Sequence, residues 1–227
     1  MIIEFNGLPG MGKTTVAQTL NRELSYNYDV KLKYRLYESK VRRLFSYLVD
    51  GSAYLYALTY RYTKYSTKHY KRDNLKYIQV LIAYYRMYRS FLKKHPNDIL
   101  IVDQGMMQAL VSIHYDNMII STQYAERIFR FLNKKNITVA FVNCENDRAI
   151  AVQRIKERNT VDGRLDVCSA EEREKVLDVQ LYNFDVLRAA CSKTMKECKN
   201  LNINMNNDPE RNSLQLMEQL GLKEGSK

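Results

Sequence analysis

The sequence predicts an α/β fold in which a five-stranded parallel sheet is covered by helices on both faces. Three observations carry that reading. Five short apolar runs alternate with helical segments along the 227 residues. The first run leads through a glycine-rich turn into a helix. The long interval between the second and third runs is itself helical in pattern. A hydrophobic share of 45% supplies enough apolar material for a core.

The first strand is expected at Ile2–Phe5, short and β-branched at Ile2 and Ile3. "GLPGMGKTT" follows, and Gly7, Gly12, Lys13 and Thr14 satisfy the pattern G-x-x-x-x-G-K-[ST]. From Thr14 to Leu24, Val16, Leu20 and Leu24 recur at helical spacing. The motif therefore sits between a strand and a helix, where its mechanism needs it. Glycines let backbone N–H groups turn inward around phosphate oxygens, and the helix adds its positive N-terminal end. Gly10, Met11, Gly12, Lys13, Thr14 and Thr15 are the expected nucleotide-binding residues. Lys13 is expected to reach the β- and γ-phosphates, and Thr14 to ligate Mg²⁺.

The second strand is expected at Val30–Tyr37, followed by helices over about residues 40–95. Within them Leu75, Ile78, Leu81, Ile82, Tyr85 and Leu92 fall on one face. "HPND" at 95–98 ends the stretch, with Pro96 as the breaker. "ILIVDQG" then reads as a buried third strand, Ile99–Val102, that stops at Asp103. An acid at a strand's carboxyl end can hold Mg²⁺ or its water, or accept a proton. The fourth strand is expected at Ile137–Asn143 and the fifth at Leu201–Asn204. Between them lies a helix bearing Arg148, Arg154 and Arg158, broken at "NTVDG" and followed by Arg164 and Asp166. Arginines beside a breakable loop suit a lid, because guanidinium groups bridge phosphates and stabilise spreading charge. A second long helix is expected from Ser169 to about Lys196, with "SAEE" as its capping box. The tail after Gly221 is expected to fray.

Charge is uneven. Residues 26–95 hold 16 Lys and Arg against 4 Asp and Glu, and 15 of the 18 tyrosines. Such a stretch could stack on nucleic-acid bases, or attract an anionic metabolite or a membrane surface. The bland alternative, favoured for most of these residues, is amphipathic helices with rings inward and cations outward. The four cysteines form no CxxC pair and no disulfide framework, so reduced thiols and a cytoplasmic location are expected, with Cys144 in the core. Their spacing does not fit a zinc site. No run of 18 apolar residues exists, so no membrane span is expected. With a strand expected from Ile2, no signal peptide is expected.

The combined pattern resembles the P-loop nucleoside and nucleotide kinases, thymidylate kinase most of all. The likeness rests on "GLPGMGKTT", on "YES" with Glu38, on "VDQG", on "RIKERNTVDGRLD" and on "LNINMNNDPE". It implies a P-loop NTPase three-layer fold with a helical substrate-side insertion and an arginine-bearing lid. It also implies one domain over 1–227, with the substrate side at 40–95 and the lid at 146–168. By the same resemblance, Glu38 lies at the substrate mouth and "LNINMNNDPE" forms the last strand and the loop beside adenine. Gln104 stands where that family carries an arginine, which weakens the case for thymidylate as substrate.

The leading expectation is a kinase that uses ATP and Mg²⁺ on a small-molecule acceptor: a nucleoside, a nucleotide or a sugar. Lys13, Glu38, Asp103, Arg154, Arg158 and Arg164 are the candidate catalytic residues, and Thr14 with Asp103 the metal pair. Whether Glu38 or Asp103 is the base stays open. The alternative is an ATPase or switch acting with nucleic acid or a protein partner, in which Gln104 positions water. A non-catalytic binding protein is disfavoured because Lys13 and Thr14 are both intact. A homodimer is left open.

Overall fold

The structure is a computed structural model that describes residues 1–32, 50–64, 71–114, 119–145, 148–157 and 169–223. Five strands form one sheet: β1 (Ile2–Asn6), β2 (Val30–Lys31), β3 (Ile99–Val102), β4 (Ala140–Glu145) and β5 (Lys199–Asn204). Their order across the sheet is β2-β3-β1-β4-β5, and every pairing is parallel. The helices among the described residues are α1 (Lys13–Leu24), α2 (Ser52–Lys64), α3 (Lys71–Lys94), α4 (Met106–Ile113), α5 (Thr122–Lys134), α6 (Arg148–Glu157), α7 (Ala170–Thr194) and α8 (Pro209–Leu220). None is long and apolar enough to cross a membrane.

Alternation along β1 sorts the core into two layers. Ile3 and Phe5 face a cluster built with Val16, Leu20 and Leu24 of α1 and Leu216 and Met217 of α8. Ile2 faces the other cluster, with Ile78, Leu81, Tyr85 and Tyr88 of α3, Leu110 of α4 and Ile128 of α5. Each fully buried Leu, Ile or Phe side chain contributes about 1.5–3 kcal/mol of transfer free energy. Helix α7 serves both layers: Val176 and Leu177 lie in the first, Phe184 and Leu187 in the second.

The elements depart from expectation in instructive places. The described part of β2 is Val30–Lys31, pairing Val30 with Ile99 and Lys31 with Leu100; residues 33–37 of the expected strand lie outside the described set. β4 begins at Ala140, not Ile137. Ile137 instead closes α5: its N–H donates to Leu132 O and Asn136 N–H donates to Asn133 O. Asn136 has φ 53, so the three residues after α5 form a Schellman cap with Asn in the left-handed position. β5 starts two residues early, at Lys199. Helix α7 opens on the expected capping box, with reciprocal bonds between Ser169 and Glu172. On α3 the core stripe continues through Tyr88 and Phe91, while Leu75 and Leu92 are only half-buried. The tyrosines divide: Tyr85 and Tyr88 are fully buried, whereas Tyr54 and Tyr60 of α2 are exposed. Cys144 is in the core, as expected.

Candidate active site

In an open parallel sheet the ends of neighbouring central strands bracket the site. Here those strands are β1 and β3, in register at Glu4 and Val102. β1 ends in the loop Gly7–Gly12, and Gly7, Gly10 and Gly12 all have positive φ: 141, 84 and 86°. At Gly7 space also forbids a side chain, since a Cβ would come within 2.8 Å of Cys144 O. The left-handed Gly12 turns the chain into α1, whose N-terminus has no side-chain cap. First-turn N–H groups of α1 therefore point at the loop's opening, a ready anion site.

Lys13 is buried, only 5% exposed. Its Nζ donates to Gly7 O at 2.9 Å and to Leu8 O at 2.7 Å. The ammonium thus closes the loop on itself, which accounts for its burial: a buried cation needs partners. Thr14 and Thr15 are exposed at the start of α1. Thr14 Oγ1 donates to Asp103 Oδ2 at 2.9 Å. Two hard oxygen donors, one neutral and one anionic, held on different elements, suit a small hard cation such as Mg²⁺ that keeps most of its water.

Behind the loop opens a cleft of about 800 Å³, lined by Gly10, Met11, Gly12, Thr15, Val16, Arg154, Glu157 and the run Met205–Pro209. Its size suits a mononucleotide. Arg154 Nη1 reaches Gly10 O at 3.4 Å, so this guanidinium stands over the loop. Asp208 caps α8 by accepting from Glu210 N–H, which fixes the far wall. Of the expected residues, the fold brings together Gly10, Met11, Gly12, Lys13, Thr14, Thr15, Asp103 and Arg154. Glu38, Arg158 and Arg164 lie outside the described residues, as does most of the expected lid.

One carboxylate near this site was missed in the sequence. Glu4 is fully buried on β1, directly beneath the turn that follows Asp103. Burial pushes its pKa up to about 7, against hydrogen bonds from Tyr88 and the backbone of Met107 and Met106 that pull it down. The half-buried Tyr84 has its pKa pushed up to about 12 by burial and by the nearby charges of Glu4 and Asp103. Asn6, two residues on, is also fully buried, and its amide has no hydrogen-bond partner among the described residues. The available signal was one acid inside an otherwise apolar strand, "IIEF".

No protein-family model matches the chain, and no curated protein matches it significantly. Solved structures match in fold. A deoxyadenosine kinase from M. mycoides, solved with products dCMP and a flexible dCDP, aligns over 97% of this chain and 99% of its own, at 14% identity and a TM-score of 0.50. Kti12 from Chaetomium thermophilum, solved with ADP-AlF3, aligns over 97% of each chain at 16% identity and a TM-score of 0.50. With its all-parallel sheet, its glycine loop at the end of β1 and its helical layers on both faces, the chain has the three-layer fold of the P-loop NTPases.

Proposed function

We propose that the chain is a phosphotransferase that moves the γ-phosphoryl group of ATP to a small-molecule acceptor. The observation that carries this reading is the contact between Thr14 and Asp103, at the mouth of a loop with three positive-φ glycines. A bare anion site needs only the loop; the paired oxygens add a place for the nucleotide's cation. In this reading backbone N–H groups from Gly10 to Thr15 hold the phosphates. Lys13 exchanges its carbonyl partners for phosphoryl oxygens. Thr14 and Asp103 hold Mg²⁺, which when bound neutralises charge on the β- and γ-phosphates. Arg154 covers the transferring group, joined by Arg158 and Arg164 from the lid.

The chain works as one kinase domain, with residues 40–95 on the acceptor side and 146–168 as the lid. The acceptor lies between α3 and the end of β3. A hydroxyl-bearing acceptor, a nucleoside or a sugar, is favoured over thymidylate. Gln104 is exposed beside Asp103 and offers a neutral amide that both donates and accepts. A second phosphate there would meet the γ-phosphate with no cation from this position between them. The fold it shares with a deoxyadenosine kinase is in keeping with a nucleoside. Glu38 is then the base. A second reading, an ATPase or switch, draws support from the same exposed Gln104, which could orient water.

The deciding experiment incubates the protein with γ-labelled ATP and Mg²⁺ over nucleosides, nucleoside monophosphates and sugars, with single-stranded DNA and RNA in parallel. Label on one acceptor class is expected. Release of phosphate alone, stimulated by nucleic acid, would favour the second reading.

A further inference from the structure

Among the described residues, the Glu4 carboxyl is met by hydrogen bonds from α3 and from the first turn of α4. Tyr88 of α3 donates its hydroxyl to Oε2 at 2.6 Å, and the backbone N–H of Met107 donates to Oε1 at 2.8 Å. Met107 is the second residue of α4, and α4 follows directly on Asp103, Gln104 and Gly105. Gly105 occupies the N-cap position and supplies no side-chain bond. It has no room to do so: a Cβ there would collide with Tyr88 Oη and with the Glu4 carboxyl. An acid on β1 therefore does what an N-cap side chain does elsewhere, accepting a first-turn N–H of a helix. The turn that carries Asp103 is held between Thr14 on one side and the Glu4–Tyr88 pair on the other.

We propose that Glu4 is a positioning residue: with Tyr88 it clamps the N-terminus of α4 and so holds Asp103 at hydrogen-bonding distance from Thr14. The inference rests on the reading that Thr14 and Asp103 serve the nucleotide's cation. Glu4 is sealed from solvent, and its contacts at the end of β3 are with the backbone of residues 105–107, so its influence passes through that turn. Tyr88 brings α3 into the same frame, so the helix on the acceptor side and the strand feeding the phosphate loop share one carboxylate. A buried carboxylate is costly unless its oxygens are satisfied, and an apolar residue would cost less if only packing mattered.

The test uses the full chain with Glu4→Gln, Glu4→Ala and Tyr88→Phe, and with Asp103→Asn as reference. The first readout needs no ligand: amide hydrogen exchange over residues 103–110. Glu4→Ala is expected to speed exchange at Met106 and Met107 at least tenfold while α1 and β4 keep their protection. Glu4→Gln, which retains an oxygen for Met107 N–H, is expected to restore most of it. The second readout is ATP affinity with Mg²⁺ and with EDTA. Glu4→Ala is expected to lose the magnesium-dependent gain by the same factor as Asp103→Asn, with affinity in EDTA within about twofold of the parent. The double variant is expected to be no worse than either single one, because both act on one element. Unchanged exchange at 106–107 in Glu4→Ala, or losses that multiply in the double variant, would overturn the proposal. Should Glu4→Ala fail to fold, Tyr88→Phe decides on the same two readouts, with smaller changes in the same direction expected and no change overturning it. A parent protein without magnesium-dependent ATP binding would remove the phosphotransfer reading, and the exchange data would still decide the clamp.

Discussion

Against Ile3 and Phe5 of β1 the buried side chains are nearly all aliphatic: Leu8, Val16, Leu20, Leu24, Ile155 and Leu216 among them. Against Ile2 the layer adds aromatic rings to its aliphatic side chains, among them Tyr85, Tyr88, Phe91, Phe129, Phe141 and Phe184. The second layer also buries Glu4, Asn6, His114, Asn143 and Asn183, whereas α8 in the first buries Asn212 and Ser213. In the proposed reading the difference follows what each side has to hold. There, phosphates are gripped by backbone N–H groups and a helix end, so the helix behind them needs only to pack. A face that must recognise a polar organic molecule, as proposed for the acceptor side, needs side-chain donors and acceptors, and aromatic residues with polar tips supply them within a core. The cost is titratable groups in low dielectric.

The comparison breaks first at Lys13. Lys13→Ala is expected to lower phosphoryl transfer by about 10³-fold, the scale of removing a preorganised electrostatic group. It is also expected to lower Tm by a few degrees, because Gly7 O and Leu8 O lose their donor. A steady-state rate within tenfold of the parent would mean the loop does not serve catalysis. Next come the residues at the loop's mouth. Asp103→Asn and Arg154→Ala are each expected to lower kcat by about 10²-fold. Only Asp103→Asn should raise the Mg²⁺ concentration for half-maximal rate, which a magnesium titration of both variants reads directly.

The cost of the aromatic face is testable by pH. Glu4 has its pKa raised from 4.5 to about 7, so the folded protein holds a proton that the unfolded chain gives up. Its contribution to stability is full below pH 4.5 and falls, by on the order of 3 kcal/mol, as pH rises to 7. His114 has its pKa lowered from 6.5 to about 4 by burial, so its contribution runs the other way. It is full above pH 6.5 and is lost, by on the order of 3 kcal/mol, as pH falls to 4. The two slopes oppose each other between pH 4.5 and 6.5. Urea unfolding of Glu4→Gln is expected to show stability rising across that window, and His114→Gln stability falling. Parallel profiles in parent and variants would return both residues to ordinary packing. On the aliphatic face Cys144 is pushed up to about 12 by burial and stays neutral throughout.

The smallest expected effect is at Gln104. Gln104→Ala removes one neutral hydrogen-bonding group, worth about 0.5–1.5 kcal/mol, or about two- to tenfold in kcat/KM for a hydroxyl acceptor. The check is competition among thymidine, thymidylate and a sugar panel at equal concentration. A clear preference for thymidylate that Gln104→Ala leaves unchanged would sharpen the comparison toward a phosphorylated acceptor.

Much of this was legible beforehand, and the legible parts share a cause. The loop from Gly7 to Thr15, the ends of β1 and β3, the Ser169 capping box and the stripe Ile78–Leu81–Ile82–Tyr85 all rest on interactions within a few residues. Backbone sterics and helical period act at that range, so residue order alone specifies them. β4 was misplaced because Ile137 and Val139 look like strand residues, yet the Schellman cap of α5 claims Ile137 first. Burial of Lys13 was not legible either, since a motif fixes residue types and spacing and not which carbonyls the ammonium meets. The clamp was least legible of all. Glu4 meets Tyr88 across 84 positions and Met107 across 103. Only the register of β1 with β3, and the packing of α3 across them, brings the three together. The sequence by itself determined the glycine loop after β1, the alternation of strand and helix, and the acid at the end of β3. Tertiary structure decided that Asp103 meets Thr14 and that Glu4 bonds the first turn of α4, because each contact joins elements whose separation in the chain carries no local energetic signal.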